Sequence, residues 1–141
     1  MKNKSQSKKV LIIDRQDYWR EFSAHTLKDT EFSVCVLDSY DYLSYLIQVQ
    51  KEMPDLVILG CTIVGPEEQK LIKRVLENKH RLLVLATLLP QKVMRALFLA
   101  GVDDVADKPD DPDLLIRIVE QALESTSALT SYQSMERRGV I

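Results

Sequence analysis

The run Pro54-Asp55-Leu56-Val57-Ile58-Leu59-Gly60-Cys61-Thr62 constrains the chain more than any other stretch. Consecutive large apolar residues, closed off by proline on one side and glycine on the other, have no polar face to give to water. The run therefore reads as a strand buried on both faces, the kind found at the centre of a parallel sheet. In open α/β sheets the ligand or reacting group sits in the crevice just beyond the carboxyl ends of such strands. Position 60 thus decides what chemistry the crevice offers, and glycine has no side chain to react.

The rest of the chain alternates in the way such a sheet requires. Val10-Leu11-Ile12-Ile13 is a first buried strand ending at Asp14, followed over 17–29 by helical spacing of Trp19, Phe22, Thr26 and Leu27, with Asp17 placed to cap. Ser33-Val34-Cys35-Val36-Leu37 is a second strand. It leads to a helix whose core stripe is Tyr42, Leu43, Leu46, Ile47 and Val49, stopped by Pro54. Gly65-Pro66 opens a third helix, with Glu67 and Glu68 first and Lys79 and His80 last, the charge order a helix dipole prefers. Leu82-Leu83-Val84-Leu85-Ala86 is a fourth strand ending at Thr87, and the helix after Pro90 closes at Gly101. A weaker fifth strand, Asp103 to Asp107, precedes Lys108-Pro109 and a last helix from Asp111-Pro112. Five strands alternating with five helices over short connections make a doubly wound parallel sheet in three α/β/α layers.

At 141 residues, 45% hydrophobic, 28% charged and a formal charge of −2, the chain has the makings of one ordinary core and no general pull toward nucleic acid or anionic membrane. It holds no apolar run of about 18 residues to span a bilayer, and its Lys-rich start leads straight into a strand, so a cytoplasmic location is expected. Cys35 and Cys61 lie far apart in apolar runs and read as buried reduced thiols. Residues 1–8 read as a flexible N-terminus, 9–125 as the domain and 126–141 as a C-terminal tail or linker.

The strand ends bring Asp14-Arg15, Gly60, Thr87 and Lys108-Pro109 to one crevice. In that order and spacing, with Pro54-Asp55-Leu56-Val57-Ile58-Leu59 and Ala100-Gly101-Val102-Asp103-Asp104, the chain resembles the receiver domain of bacterial response regulators, CheY-like domains, over about residues 8–125. The resemblance implies a flavodoxin-like (βα)5 fold, phosphoryl transfer to an aspartate after strand three with the help of Mg²⁺, and service in a two-component-type signalling system. It also implies two acids after strand one, a hydroxyl after strand four, a lysine after strand five, a cis bond before Pro109 and a switching aromatic within strand five. Asp14, Thr87 and Lys108 match. Arg15 stands at the second acid, Gly60 at the phosphoacceptor and Val105 at the aromatic.

These departures remove the expected chemistry. With Asp14, Arg15 and Lys108 all pointing inward, the crevice carries a charge of about +1, which opposes a hard divalent cation. No metal, cofactor or catalysis is therefore expected. Arg15 has two readings: solvent-facing or paired with Asp17, or bridging to Asp14 near the metal position. Thr62 and Cys61 are the alternative acceptors, each without an obvious base. The expected role is that of a degenerate receiver, a pseudo-receiver, acting by docking to a protein partner or output domain. A homodimer would use the helix 4, strand 5 and helix 5 face, where Leu88, Leu89, Phe98, Leu99, Leu114, Ile116 and Leu123 are surplus to the core stripes. The competing reading, a flavin or nucleotide binder of the same fold, needs a phosphate cradle after strand one. Asp14-Arg15-Gln16-Asp17-Tyr18 lacks the glycine spacing of one.

Overall fold

The computed structural model describes residues 7–124. Strands β1 (Lys9–Ile13), β2 (Ser33–Leu37), β3 (Leu56–Cys61), β4 (Leu82–Ala86) and β5 (Asp104–Asp107) alternate with helices α1 (Asp17–Lys28), α2 (Tyr42–Glu52), α3 (Pro66–Glu77), α4 (Gln91–Ala100) and α5 (Pro112–Glu124). All strand pairs are parallel, in the order β2-β1-β3-β4-β5. This is the flavodoxin-like (βα)5 arrangement. Expectations for the tail after residue 125, and for residues 1–6 of the N-terminus, concern positions outside the described residues.

The period of two in the strands divides the core. Leu11, Ile13, Val57, Leu59 and Val84 face one side, where α2, α3 and α4 supply Tyr45, Val49, Leu71, Ile72, Val75, Leu97 and Phe98. Val10, Ile12, Leu56, Ile58, Leu83 and Leu85 face the other, against Trp19, Ala24 and Leu27 of α1 and Leu115, Val119 and Ala122 of α5. Every residue of β3 is buried, as expected of a strand covered on both faces. Chain order reverses direction between β1 and β3, and the crevice opens at that switch point. Ile13 pairs with Leu59, so the next step along the sheet sets Asp14 beside Gly60.

Local chemistry fixes the helix ends. Asp41 accepts the Ser44 N–H at the start of α2, and Asp111 accepts the Leu114 N–H at the start of α5. Gly101 ends α4 at φ 111°, a conformation that disfavours any residue with a Cβ. Asp17 does not cap: Gln16 is the α1 N-cap residue, and Asp17 instead pairs with Arg20. The helical stripe of α2 is also rotated from expectation. Tyr45 and Val49 are its buried residues, while Leu43 and Ile47 face solvent. The described residues contain no cis peptide bond, so Lys108-Pro109 is trans. No helix among them is long and apolar enough to cross a membrane.

One buried polar contact joins α2 to the end of α3: the Tyr45 hydroxyl meets His80 Nδ1, with the rings edge to face 5.8 Å apart. Burial lowers the His80 pKa below its usual value of 6.5 and raises that of Tyr45. The unfolded chain therefore takes up the His80 proton at a higher pH than the folded one. Its contribution to stability is complete above about pH 6.5 and declines as the pH falls toward the folded pKa. Urea unfolding at pH 7.5 and 5.5 should show a smaller acid-induced loss in His80→Gln than in the wild type. An equal loss in both would show that His80 is not linked to folding.

Candidate functional site

Asp14 extends β1 into the crevice and is 1% exposed. Its Oδ1 accepts the Gln16 N–H at 2.8 Å, and its Oδ2 lies 2.8 Å from Lys108 Nζ. That last contact is an ion pair lying off the direction of a hydrogen bond, since Oδ2 has no bonded donor. Lys108 comes from the far side of the sheet, where its N–H bonds the Ala86 carbonyl, and its side chain is 5% exposed. Its ammonium also donates to Gln16 Oε1 at 3.0 Å and stands 4.9 Å from the centre of the Trp19 ring. Trp19 in turn donates its indole N–H to the Pro109 carbonyl. Two elements at the ends of the chain, β1 with α1 and the loop after β5, are thereby closed on each other.

Gly60 is what leaves room for this pair. A Cβ at position 60 would lie 2.2 Å from Asp14 Oδ2 and 3.2 Å from Cζ3 of Trp19. No side chain fits unless Asp14 moves. The Gly60 carbonyl accepts the Tyr40 hydroxyl at 2.6 Å. Tyr40, in the β2–α2 loop, lies under the Arg15 guanidinium at 4.4 Å, and Arg15 reaches on to Glu67 at 2.5 Å. The hydrogen bond between them lowers the Glu67 pKa and raises that of Arg15.

Arg15 is exposed, as the solvent-facing reading has it, but neither of the pairings suggested for it forms. It bridges neither to Asp14 nor to Asp17, because the lysine already satisfies the first and Arg20 holds the second. The count of +1 falls with them: Arg15 has left, and Asp14 with Lys108 sums to zero. Sequence reasoning missed Tyr40 and the pairing role of Glu67. An aromatic residue just outside a helical stripe was the available signal for Tyr40.

The space that remains is a cleft of about 300 Å³ on the Tyr40 side, bordered by Asp14, Arg15, Cys61, Thr62 and Glu68 but not by Lys108 or Thr87. Thr87 is exposed, and its N–H bonds the Cys61 carbonyl. Burial, with the Glu68 carboxylate nearby, pushes the Cys61 thiol up to about 12, so it holds almost no thiolate at neutral pH. Burial likewise raises the half-buried Cys35 thiol. Val105 is buried among the α4-side core residues.

The carboxylates bordering the cleft already have partners within the protein. Mg²⁺ demands near-octahedral oxygen ligands, yet the one carboxylate at the metal position is committed to a lysine and a backbone N–H. Glu68, the other acid at the cleft, accepts the Gly65 N–H. Among the described residues no group of three His, Cys, Asp or Glu is placed to hold a metal.

Of the surplus apolar residues, Leu88, Leu99 and Leu114 are exposed. Phe98 is a correction: at 2% exposure it belongs to the core. Leu89, Ile116 and Leu123 are partly buried and pack against the two core clusters.

No protein-family profile matches the chain, and no curated protein matches it. Solved structures do. A response regulator from Thermotoga maritima superposes with a TM-score of 0.73 at 22% identity, covering 84% of this chain and 99% of that one. A chain from Chloroflexus aurantiacus with a provisional response-regulator assignment gives 0.70 at 27% identity and the same coverage. The chemotaxis protein CheY4 of Vibrio cholerae gives 0.72 at 21% identity, covering 82% and 98%. The fold is that of CheY-like receiver domains.

Removing one partner of a buried ion pair strands the other, at a cost of about 3–5 kcal/mol, whereas replacing both with apolar groups can be neutral. Lys108→Met should therefore lower unfolding free energy by about that amount, and Asp14→Leu with Lys108→Met should recover most of it. Urea denaturation of the single and double variants checks this. A loss under about 1 kcal/mol in the single variant would remove the pair from its central place.

Proposed function

We propose that the chain is a phosphorylation-independent receiver-like module, a pseudo-receiver, of a two-component-type system, acting by docking to other proteins and not by catalysis. One observation carries this reading: the volume a phosphoacceptor side chain needs at position 60 is filled by the Asp14 carboxylate and the Trp19 ring. Phosphoryl transfer needs an in-line nucleophile and a cation to spread the developing charge. Glycine supplies no nucleophile, the Cys61 thiol is held protonated, and Asp14 is paired with Lys108. Loss of Mg²⁺ binding follows from the same donors. With valine buried at 105, no ring is present to report the state of the crevice to the α4–β5–α5 face.

Incubation with acetyl phosphate and Mg²⁺ should leave the intact mass unchanged, and beryllofluoride with Mg²⁺ should leave the thermal midpoint unchanged. A gain of one phosphoryl group, on Thr62 or elsewhere in the crevice, would replace this reading with a receiver that uses another acceptor.

The exposed leucines supply the docking face. Leu99 on α4 is 67% exposed, Leu88 in the β4–α4 loop 61% and Leu114 on α5 41%. Exposed apolar surface that is contiguous marks interfaces, and a second copy of the chain, covering these leucines along α4 and the start of α5, is the partner this reading names. Sedimentation of the wild type should show concentration-dependent association that Leu99→Glu abolishes. A monomer at all concentrations, unaltered by the substitution, would contradict it.

A further inference from the structure

Helices α3 and α4 do not close on each other. Between them runs an open groove of about 760 Å³. Its floor is apolar, built from Ile72 and Leu76 of α3 and Val93 and Leu97 of α4, each pair four residues apart and so on one helical face. Ala96 and Ala100, also four apart, add two positions on α4 whose side chains end at Cβ. The groove lies away from the crevice and shares none of its lining residues.

We infer that this groove seats an amphipathic helix of a partner protein, with apolar residues on its inner face and acidic residues on its flanks. Size argues for a helix. The 10 residues of α4 span about 15 Å, and a helix about 10–12 Å across, sunk to half its depth over that length, displaces roughly 600–850 Å³. A single alkyl chain leaves most of that volume empty. The two alanines supply the close approach that packed helices need where a ridge meets a groove. The binding mode is the helix-in-groove one, read through anchors at i, i+3 or i+4 and i+7.

Charge sets the flanks. Lys73 and Lys92 border the groove on its two sides, and neither has a carboxylate partner among the described residues. The acids of α3 are engaged: Glu67 by Arg15, Glu68 by the Gly65 N–H and Glu77 by Arg74 at 3.9 Å. Between Glu77 and Asp103 the sequence contains no acidic residue, so α4 brings only Lys92 and Arg95. Glu77 also lines the groove, so its rim carries two lysines and one carboxylate, a net charge of +1 before the Arg74 contact is counted, and exposed charges of this kind select among partners and raise association rates at low salt.

This inference rests on the reading of the chain as a docking module, yet it is tested apart from the crevice chemistry. The probe is a synthetic helix of about 14 residues with leucine on one face and glutamate on the flanks, beside a counterpart carrying lysine for glutamate. Titrated into the full chain at about 50 mM salt, the acidic peptide should bind saturably and shift the amide resonances of Ile72, Leu76 and Leu97. Ala96→Phe, at an exposed position, should weaken binding at least tenfold without moving the thermal midpoint. Lys73→Glu with Lys92→Glu should transfer the preference to the lysine peptide. No saturable binding, equal affinity for both peptides, or indifference to Ala96→Phe would overturn the inference. So would dodecanoate producing the same shifts at lower concentration, which would assign the groove to an acyl ligand. None of these outcomes touches the reading of position 60, which the mass measurement decides.

Discussion

The Asp14–Lys108 ion pair is the contact on which the architecture of the crevice depends. Two charges taken out of water lose several kcal/mol of hydration each, and they stay charged inside a protein only when their mutual attraction and further polar contacts offset that loss. Here the carboxylate has a backbone N–H as well as the ammonium, and the ammonium has an amide oxygen and an indole face as well as the carboxylate. The pair also needs space, and that space is the volume next to the Gly60 Cα. Glycine at 60 and the closed pair are two descriptions of one state. A side chain there would have to displace the Asp14 carboxylate, the group that Lys108 pairs with.

A second layer lies over the first. Tyr40 bonds the Gly60 carbonyl from the β2–α2 loop, Arg15 stacks on Tyr40, and Glu67 at the start of α3 holds Arg15. The arginine that stands where a second acid would be expected has thus become a strap across the mouth of the crevice, anchored on an exposed carboxylate. The Arg15–Glu67 bond is exposed and worth little by itself, but the Tyr40 hydroxyl beneath it is buried and bonded. Loops that would have to rearrange around a phosphoryl group are fastened to one another from both sides of β3.

The sheet was legible in the sequence because its signals are local. Runs such as Leu82 to Ala86 have no polar face, and Gly101 and Pro66 mark helix ends through backbone geometry alone. Asp14, Gly60 and Lys108 were legible for a related reason, since each is the first position beyond a buried strand or within a residue of it. What the sequence hid was pairing at long range. Arg15 and Glu67 are 52 residues apart, and nothing in either neighbourhood favours that partner over Asp17, two residues away. Burial on helices was hidden too. The apolar count of α4 does not say that Phe98 turns inward and Leu99 outward, because the sheet edge it covers is set by how far β4 and β5 extend. On α2, the face that meets the sheet runs through Tyr42, Tyr45, Leu46 and Val49, at i, i+3, i+4 and i+7, and leaves Leu43 and Ile47 outside it.

Helix α4 lies outside the network of contacts that ties Asp14, Lys108, Tyr40 and Arg15 together at the crevice. Helix α4 borders the α3–α4 groove with Ala96 and Ala100 and presents Leu99 on its exposed side, so ligands on either surface act on the same ten residues. It is also lightly tethered, with Pro90 at its N-cap making no side-chain cap and only Leu97 and Phe98 fully buried. An occupant of the groove that favours one placement of this helix changes the affinity of the Leu99 face by the same factor as that face changes the groove, whichever binds first. If the two surfaces are coupled, the coupling runs through α4 and owes nothing to position 60. One binding event is then relayed to another without any step at the crevice.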